Sequence, residues 1–164
     1  MTGEANKLPV VLVAEDHQHD RFILSEVFAR AGIQADLRFV GDGEQVLDYL
    51  HRSGPFAGSA PGNDKAPSPC FILLDLNMPR LDGRKTIRVL RADPKLCHLP
   101  VIALSTSEHP QHIAEAYAIG ANAYLVKPAR IPDYVSKINA LWQFWMHAAT
   151  LPTPEEVPTL SETA

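Results

Sequence analysis

Four short runs of the chain are apolar at every position: Val10-Val11-Leu12-Val13, Phe71-Ile72-Leu73-Leu74, Val101-Ile102-Ala103-Leu104 and Ala123-Tyr124-Leu125-Val126. A fifth, Leu37-Arg38-Phe39-Val40, alternates like a half-buried strand. Runs that are apolar on both faces fit the buried strands of a parallel sheet. Each run is followed by apolar residues at helical spacing. Ile23, Leu24, Val27, Phe28 and Ala31 form the first stripe, and Val46, Leu47 and Leu50 the second. Ile87, Leu90 and Arg91 fit a third helix that stops near Asp93-Pro94, and Ile113, Ala116, Tyr117 and Ile119 a fourth that stops at Gly120. Ile131, Tyr134, Val135, Ile138, Leu141, Trp142 and Trp145 make the last.

Strict alternation of strand and helix requires crossover helices and a parallel sheet covered on both faces. The fold class this predicts is α/β, a flavodoxin-like (βα)5 doubly wound sheet in the order 2-1-3-4-5. In such sheets ligands sit at the carboxyl ends of the strands, near the switch point between strands 1 and 3.

Prolines punctuate the rest. Residues 54–69 read as a Pro/Gly-rich surface loop, and 148–164 as a Pro-rich tail, disordered or draped over a neighbour. Residues 1–7 read as a disordered N-terminal tail with no secretion signal. The foldable part is therefore 8–147, and the remainder is too short for an output domain. The length of 164 residues and 46% hydrophobic content suit one globular domain. A net charge of -4 argues against nucleic acid and against a polybasic membrane patch. No apolar run is long enough to span a bilayer. Two cysteines, Cys70 and Cys97, are too few for a disulfide framework or a structural zinc site, which fits a cytoplasmic location. Cys70 opens an apolar run and is expected to be a small buried residue.

The strand ends carry the chemistry. Strand 1 ends in Glu15-Asp16, strand 3 in Asp75, strand 4 in Ser105-Thr106-Ser107 and strand 5 in Lys127-Pro128. Singly, each is an ordinary turn or cap residue. Jointly, they place three carboxylates, a lysine and hydroxyls on one rim. Two unit charges about 4 Å apart repel by roughly 4 kcal/mol at an effective dielectric near 20, so such a cluster implies a cation. After Lys127 is counted, a divalent ion balances the remainder, and hard oxygen donors suit Mg²⁺. No His or Cys belongs to the set, which speaks against zinc, and His17 reads as loop surface. A carboxylate, a hydrated cation, a lysine and a hydroxyl together make a phosphoryl-handling site, with Asp75 as nucleophile and an acyl phosphate as product.

At these residues the chain resembles the receiver domains of bacterial two-component response regulators. The motifs are VLVAEDHQHD, ILLDLNMPRLDG, LPVIALSTS and GANAYLVKP. Ser105 follows Asp75 by 30 residues, and Lys127 follows Ser105 by 22, as in that family. The resemblance implies that Asp75 is the phosphoacceptor. It implies that Glu15, Asp16, Asp75 and the Asn77 backbone carbonyl hold Mg²⁺, for which Mn²⁺ or Ca²⁺ substitute. It also implies that Lys127 pairs with a phosphoryl oxygen, next to a cis peptide to Pro128. Ser105 takes the switch-hydroxyl position, beside Thr106, and Tyr124 that of the switch aromatic. Glu15 stands where an aspartate is commoner, and Ser105 where a threonine is. The loop before strand 3 is an insertion of about fifteen residues, which loop closure makes cheap.

The chain is most similar to the stand-alone regulators encoded alongside bacterial phytochromes. The implied partners are a sensor histidine kinase such as a bacteriophytochrome, and a histidine phosphotransfer protein. Such a regulator catalyses only its own phosphorylation and dephosphorylation. Phe22, Pro128 and Ala129 fall on the expected kinase-facing surface, although Phe22 could equally tuck under the Pro-rich loop. Trp142 and Trp145 read as core. Phe144 lies off their stripe and suggests a homodimer through helices 4 and 5 and the tail. Three other readings are weaker. A haloacid-dehalogenase phosphatase needs an acid where Asn77 stands. A flavodoxin needs a phosphate loop where Glu15-Asp16 stand. A pseudo-receiver, working without phosphorylation, would not need the intact set of Asp16, Asp75, Ser105 and Lys127.

Overall fold

A computed structural model describes residues 7–58, 64–153 and 156. Most of the expected terminal tails and the middle of the Pro-rich loop lie outside the described residues. Five parallel strands form one sheet in the order β2-β1-β3-β4-β5: β1 (Val10–Ala14), β2 (Asp36–Val40), β3 (Phe71–Asp75), β4 (Val101–Ser105) and β5 (Ala123–Val126). Between and after them run α1 (Gln18–Arg30), α2 (Gly43–His51), α3 (Gly83–Ala92), α4 (Pro110–Ala118) and α5 (Ile131–Gln143). This is the expected doubly wound arrangement, with each strand within two residues of its apolar run.

The two-residue period of the strands divides the core in two. Leu12, Ala14, Ile72, Leu74, Val101 and Ala103 face one side, where Val46 of α2, Ile87 and Leu90 of α3 and Ala116 of α4 pack on them. Val11, Val13, Phe71, Leu73, Ile102 and Leu104 face the other, under Leu24, Val27 and Phe28 of α1 and Tyr134, Ile138 and Trp142 of α5. β1, β3 and β4 are buried along their whole length, which is why their runs do not alternate. The Trp142 ring meets Phe28 and Phe71 edge-on, both at 6.3 Å, and is core as expected.

Local chemistry sets the helix ends. The Asp42 carboxylate caps α2 by accepting from Gln45 N at 2.9 Å, and Asp82 caps α3 through Lys85 N at 2.9 Å. α3 stops at Asp93, which is extended because Pro94 follows. α4 stops before Gly120, whose φ of +107° a side chain would resist. Arg91 is half-buried and donates to the carbonyls of Gly120, Cys97 and Leu99 and to Asn122 Oδ1, tying α3 to the start of β4 and β5.

Three expectations are corrected. The last helix does not run on unchanged: residues Phe144–Ala148 form a wider π turn, closed by Ala149 N on the Phe144 carbonyl at 2.8 Å. That turn leaves both Trp145 and Met146 packed on the α1–α5 side of the core. Cys70 is half-buried rather than buried, on the wall of a cleft of about 610 Å³ with Leu96, His98 and Leu151. No peptide bond among the described residues is cis, so the Lys127–Pro128 bond is trans.

Candidate phosphoryl and metal site

Register brings the polar residues together. Ala14 pairs with Leu74, Asp75 with Leu104 and Ser105 with Val126, so the strand ends advance around one rim. Glu15 follows β1 directly and is fully buried, its N–H still in the ladder on the Val40 carbonyl at 3.0 Å. Asp75 is buried at the end of β3. Lys127 reaches in from the residue after β5, its own N–H held by the Ser105 carbonyl at 2.8 Å.

The Lys127 ammonium is the hub. It donates to Glu15 Oε2 at 2.8 Å, to Asp20 Oδ2 at 3.1 Å and to Asp75 Oδ2. Burial alone would lower the Lys127 pKa; the two buried carboxylates outweigh it and hold the group above the ordinary lysine range. Glu15 is pushed up by burial and by neighbouring Asp75, against the pull of Lys127 and of the His17 N–H at 3.0 Å. The other Asp75 oxygen, Oδ1, accepts from Asn77 N at 2.7 Å, so the loop after β3 fixes the carboxylate.

Asp16 Oδ1 is buried and accepts no hydrogen bond. Its near neighbour is the exposed His17 ring, with Nδ1 at 3.1 Å, whose pKa is raised by the charge of Asp16 and by Glu15. A buried carboxylate oxygen that accepts no hydrogen bond, on the residue after Glu15, is what a hard divalent ion would satisfy. Donor atoms of Glu15, His17 and Asp20 also lie within 4.8 Å of one another. Reading the strand ends alone leaves out Asp20 and His17. Asp20 sits in the first turn of α1, where acidic residues are common for helix-dipole reasons, and only the position of Lys127 distinguishes it.

The remaining expected residues fall into two groups. Ser105 is buried, its Oγ accepting from Ser107 N at 3.1 Å, and Thr106 is exposed. Tyr124 is half-buried and donates to the Ser107 carbonyl at 2.9 Å, so these residues form one connected loop beside Asp75. Phe22 is 63% exposed and is not covered by the described part of the Pro-rich loop. Pro128 is half-buried and Ala129 exposed, next to the site. Phe144, 54% exposed, is remote from that rim, in the π turn beyond α5, edge-on to Trp145 at 5.0 Å.

A family model for the response regulator receiver domain matches residues 11–139. Response regulator Rcp1 of Synechocystis sp. is 31% identical over 152 residues, covering 93% of this chain and 99% of Rcp1. The crystal structure of its Mn²⁺-bound form has a TM-score of 0.73 at 30% identity, covering 88% of this chain and 99% of that one. Response regulator RPA3017, in red light signaling of R. palustris, is 64% identical with a TM-score of 0.83, covering 89% of this chain and 99% of its own. The phosphorylated cyanobacterial phytochrome response regulator RcpA is 31% identical with a TM-score of 0.77, again covering 89% and 99%.

Proposed function

The chain belongs to the response regulator receiver domain family, and from that premise we propose that it accepts a phosphoryl group on Asp75 from the phosphohistidine of a sensor histidine kinase. The observation that carries the reading is the buried contact of Lys127 Nζ with Asp75 Oδ2 at the end of β3. Glu15, Asp16, Asp75 and the Asn77 carbonyl would hold Mg²⁺, or Mn²⁺ or Ca²⁺ in its place. When bound, the ion would neutralise charge spreading over the phosphoryl oxygens. Rcp1 crystallised with Mn²⁺ supports that assignment.

The chain's own groups do the rest. Asn77 N orients the Asp75 carboxylate for in-line attack. Lys127 offers its ammonium to a phosphoryl oxygen, where an ion in a water-poor site stabilises developing charge strongly. The Ser105 hydroxyl turns from Ser107 N towards the phosphoryl group, assisted by Thr106. That releases the loop to which Tyr124 is bonded and carries the change to α4 and α5. The chain catalyses this change of its own state and no turnover of a separate substrate.

The kinase is proposed to be a phytochrome in the cytoplasm, because RPA3017 belongs to red light signaling and RcpA is a phytochrome regulator. Among the described residues no helix is long and apolar enough to cross a membrane. Exposed Phe22, with Pro128 and Ala129, offers the kinase an apolar edge beside Asp75. A histidine phosphotransfer protein would dock on the same edge. Output through a homodimer of α4 and α5 is supported by exposed Tyr117 and Phe144. The test is incubation with acetyl phosphate and Mg²⁺, read by intact mass. One phosphate is gained, and Asp75→Asn gains none; a phosphate on the Asn variant would place the acceptor elsewhere.

A further inference from the structure

The Lys127 ammonium has three N–H donors, and three carboxylates take them: Glu15 Oε2 at 2.8 Å, Asp20 Oδ2 at 3.1 Å and Asp75 Oδ2. Two of those partners have a second duty under the reading above. Glu15 and Asp75 belong to the oxygen set that would hold the divalent ion, and a carboxylate drawn to a metal is a weaker acceptor for lysine. Asp75 also becomes an acyl phosphate, which ends its carboxylate charge and places phosphoryl oxygens there instead. Asp20 is not phosphorylated in this scheme and stands outside the proposed oxygen set, with an oxygen within 4.8 Å of donor atoms of Glu15 and His17. It is anchored in the first turn of α1, its side chain is about one-third exposed, and it comes from the opposite flank to β5.

We propose that Asp20 is a positioning residue that keeps the Lys127 ammonium over Asp75 while Glu15 and Asp75 are engaged elsewhere. The proposal rests on the phosphoacceptor reading. In the step it serves, an Asp75 oxygen forms a bond to phosphorus as the bond from phosphorus to the acetate oxygen of acetyl phosphate breaks. Acetate leaves with that electron pair, and no proton moves. One lysine N–H turns to the phosphoryl oxygen, and the N–H on Asp20 fixes the pivot. Without Asp20, Lys127 would carry two bonds to groups that both change partners, and a long flexible side chain would have to be ordered during the reaction.

The experiment compares the parent with Asp20→Asn and Asp20→Glu. Mn²⁺ affinity is read by electron paramagnetic resonance, and phosphorylation by acetyl phosphate at saturating Mg²⁺ by intact mass over time. Asp20→Asn should keep Mn²⁺ affinity within about threefold and slow the rate at saturating donor by about tenfold. Asp20→Glu, which keeps the carboxylate, should recover most of that rate. Three results overturn the proposal while leaving the phosphoacceptor reading intact. One is a rate in Asp20→Asn equal to the parent's. Another is a loss of Mn²⁺ affinity of about tenfold or more, repaired by excess metal, which would make Asp20 a metal ligand. The third is a slow Asp20→Glu indistinguishable from Asp20→Asn. A parent chain that gains no phosphate under these conditions overturns the phosphoacceptor reading itself, and this proposal with it.

Discussion

Tyr124 donates its phenolic hydrogen to the backbone carbonyl of Ser107 at 2.9 Å, joining β5 to the loop that follows β4. The N–H of the same Ser107 donates to Ser105 Oγ at 3.1 Å. One peptide segment is thus held by the Ser105 hydroxyl on one side and by the Tyr124 hydroxyl on the other. Tyr124 N is itself bonded to Tyr117 Oη of α4 at 3.2 Å, so the chain of contacts continues onto the exposed face.

Tyr124→Phe keeps the ring and removes the bond to Ser107. Unphosphorylated, the variant should lose about 1 kcal/mol in urea denaturation, the net value of such a hydrogen bond. It should still take phosphate from acetyl phosphate, because Tyr124 does not touch Asp75. Under the proposed dimer output, the difference in sedimentation between its phosphorylated and unphosphorylated forms should be smaller than in the parent. A variant whose phosphorylation-dependent change equals the parent's would remove Tyr124 from the relay.

Lys127→Ala leaves Glu15 and Asp75 buried with no ammonium between them. Breaking a buried pair by deleting one partner costs about 3 kcal/mol, because the other charge stays desolvated. A divalent ion should then stabilise the variant more than the parent, since it supplies the missing positive charge and binds only the folded chain. Denaturation with and without Mg²⁺ measures both effects. Equal gains from Mg²⁺ in the two chains would mean that the ion does not sit among these carboxylates.

The fold was legible because its signals are local. Continuous apolar runs such as Phe71-Ile72-Leu73-Leu74 can be buried only between two helical layers, and breaks such as Asp93-Pro94 end helices by backbone geometry. The strand-end residues were legible because a parallel sheet brings all such ends to one rim. Pairings set by three-dimensional approach were not. Asp42 holds Arg80 across 38 residues, and nothing in either local sequence announces it. Asp20 looked like any acid at the start of a helix. The π turn after Gln143 brings Trp145 and Met146 onto the same core, whereas the sequence places only Trp145 on the helical stripe.

At Gly83 the start of α3 comes close against the backbone of Asp75 and Leu76. A methyl group there would lie 2.4 Å from the Asp75 carbonyl oxygen and 2.7 Å from Leu76 Cα, both backbone atoms that cannot swing aside. Gly83 N also bonds the Leu76 carbonyl at 3.2 Å. Gly83→Ala should destabilise the chain by about 1–3 kcal/mol, the usual penalty for overpacking. Because the shifted segment carries Asn77, the phosphorylation rate should fall as well. Full activity together with unchanged stability would show that the segment yields freely.

Alkaline pH should expose the burial of Tyr49. Its hydroxyl donates to the Pro67 carbonyl at 2.8 Å, which ties α2 to the chain entering β3. Burial pushes the phenol from 10.0 up to about 12. Below the lower value the phenol is protonated in both the folded and the unfolded chain, and the stabilisation is fully present. Between the two values the unfolded chain releases a proton that the folded chain keeps, so stability falls as pH rises and is lost through the upper value. Tyr134 is shifted upward by burial too, as a second tyrosine of the same sign, so the absolute slope of the parent does not isolate Tyr49. The comparison with Tyr49→Phe does. At neutral pH that variant should be weaker by about 1 kcal/mol for the lost hydrogen bond. Between about pH 9 and about pH 11 the parent should lose roughly 1.4 kcal/mol more than the variant, the value of one pKa unit. Urea titrations at the two pH values measure the difference. Parallel losses in both chains would mean that the Tyr49 phenol ionises as readily in the folded molecule as in water, and that the segment around Pro67 does not bury it in solution.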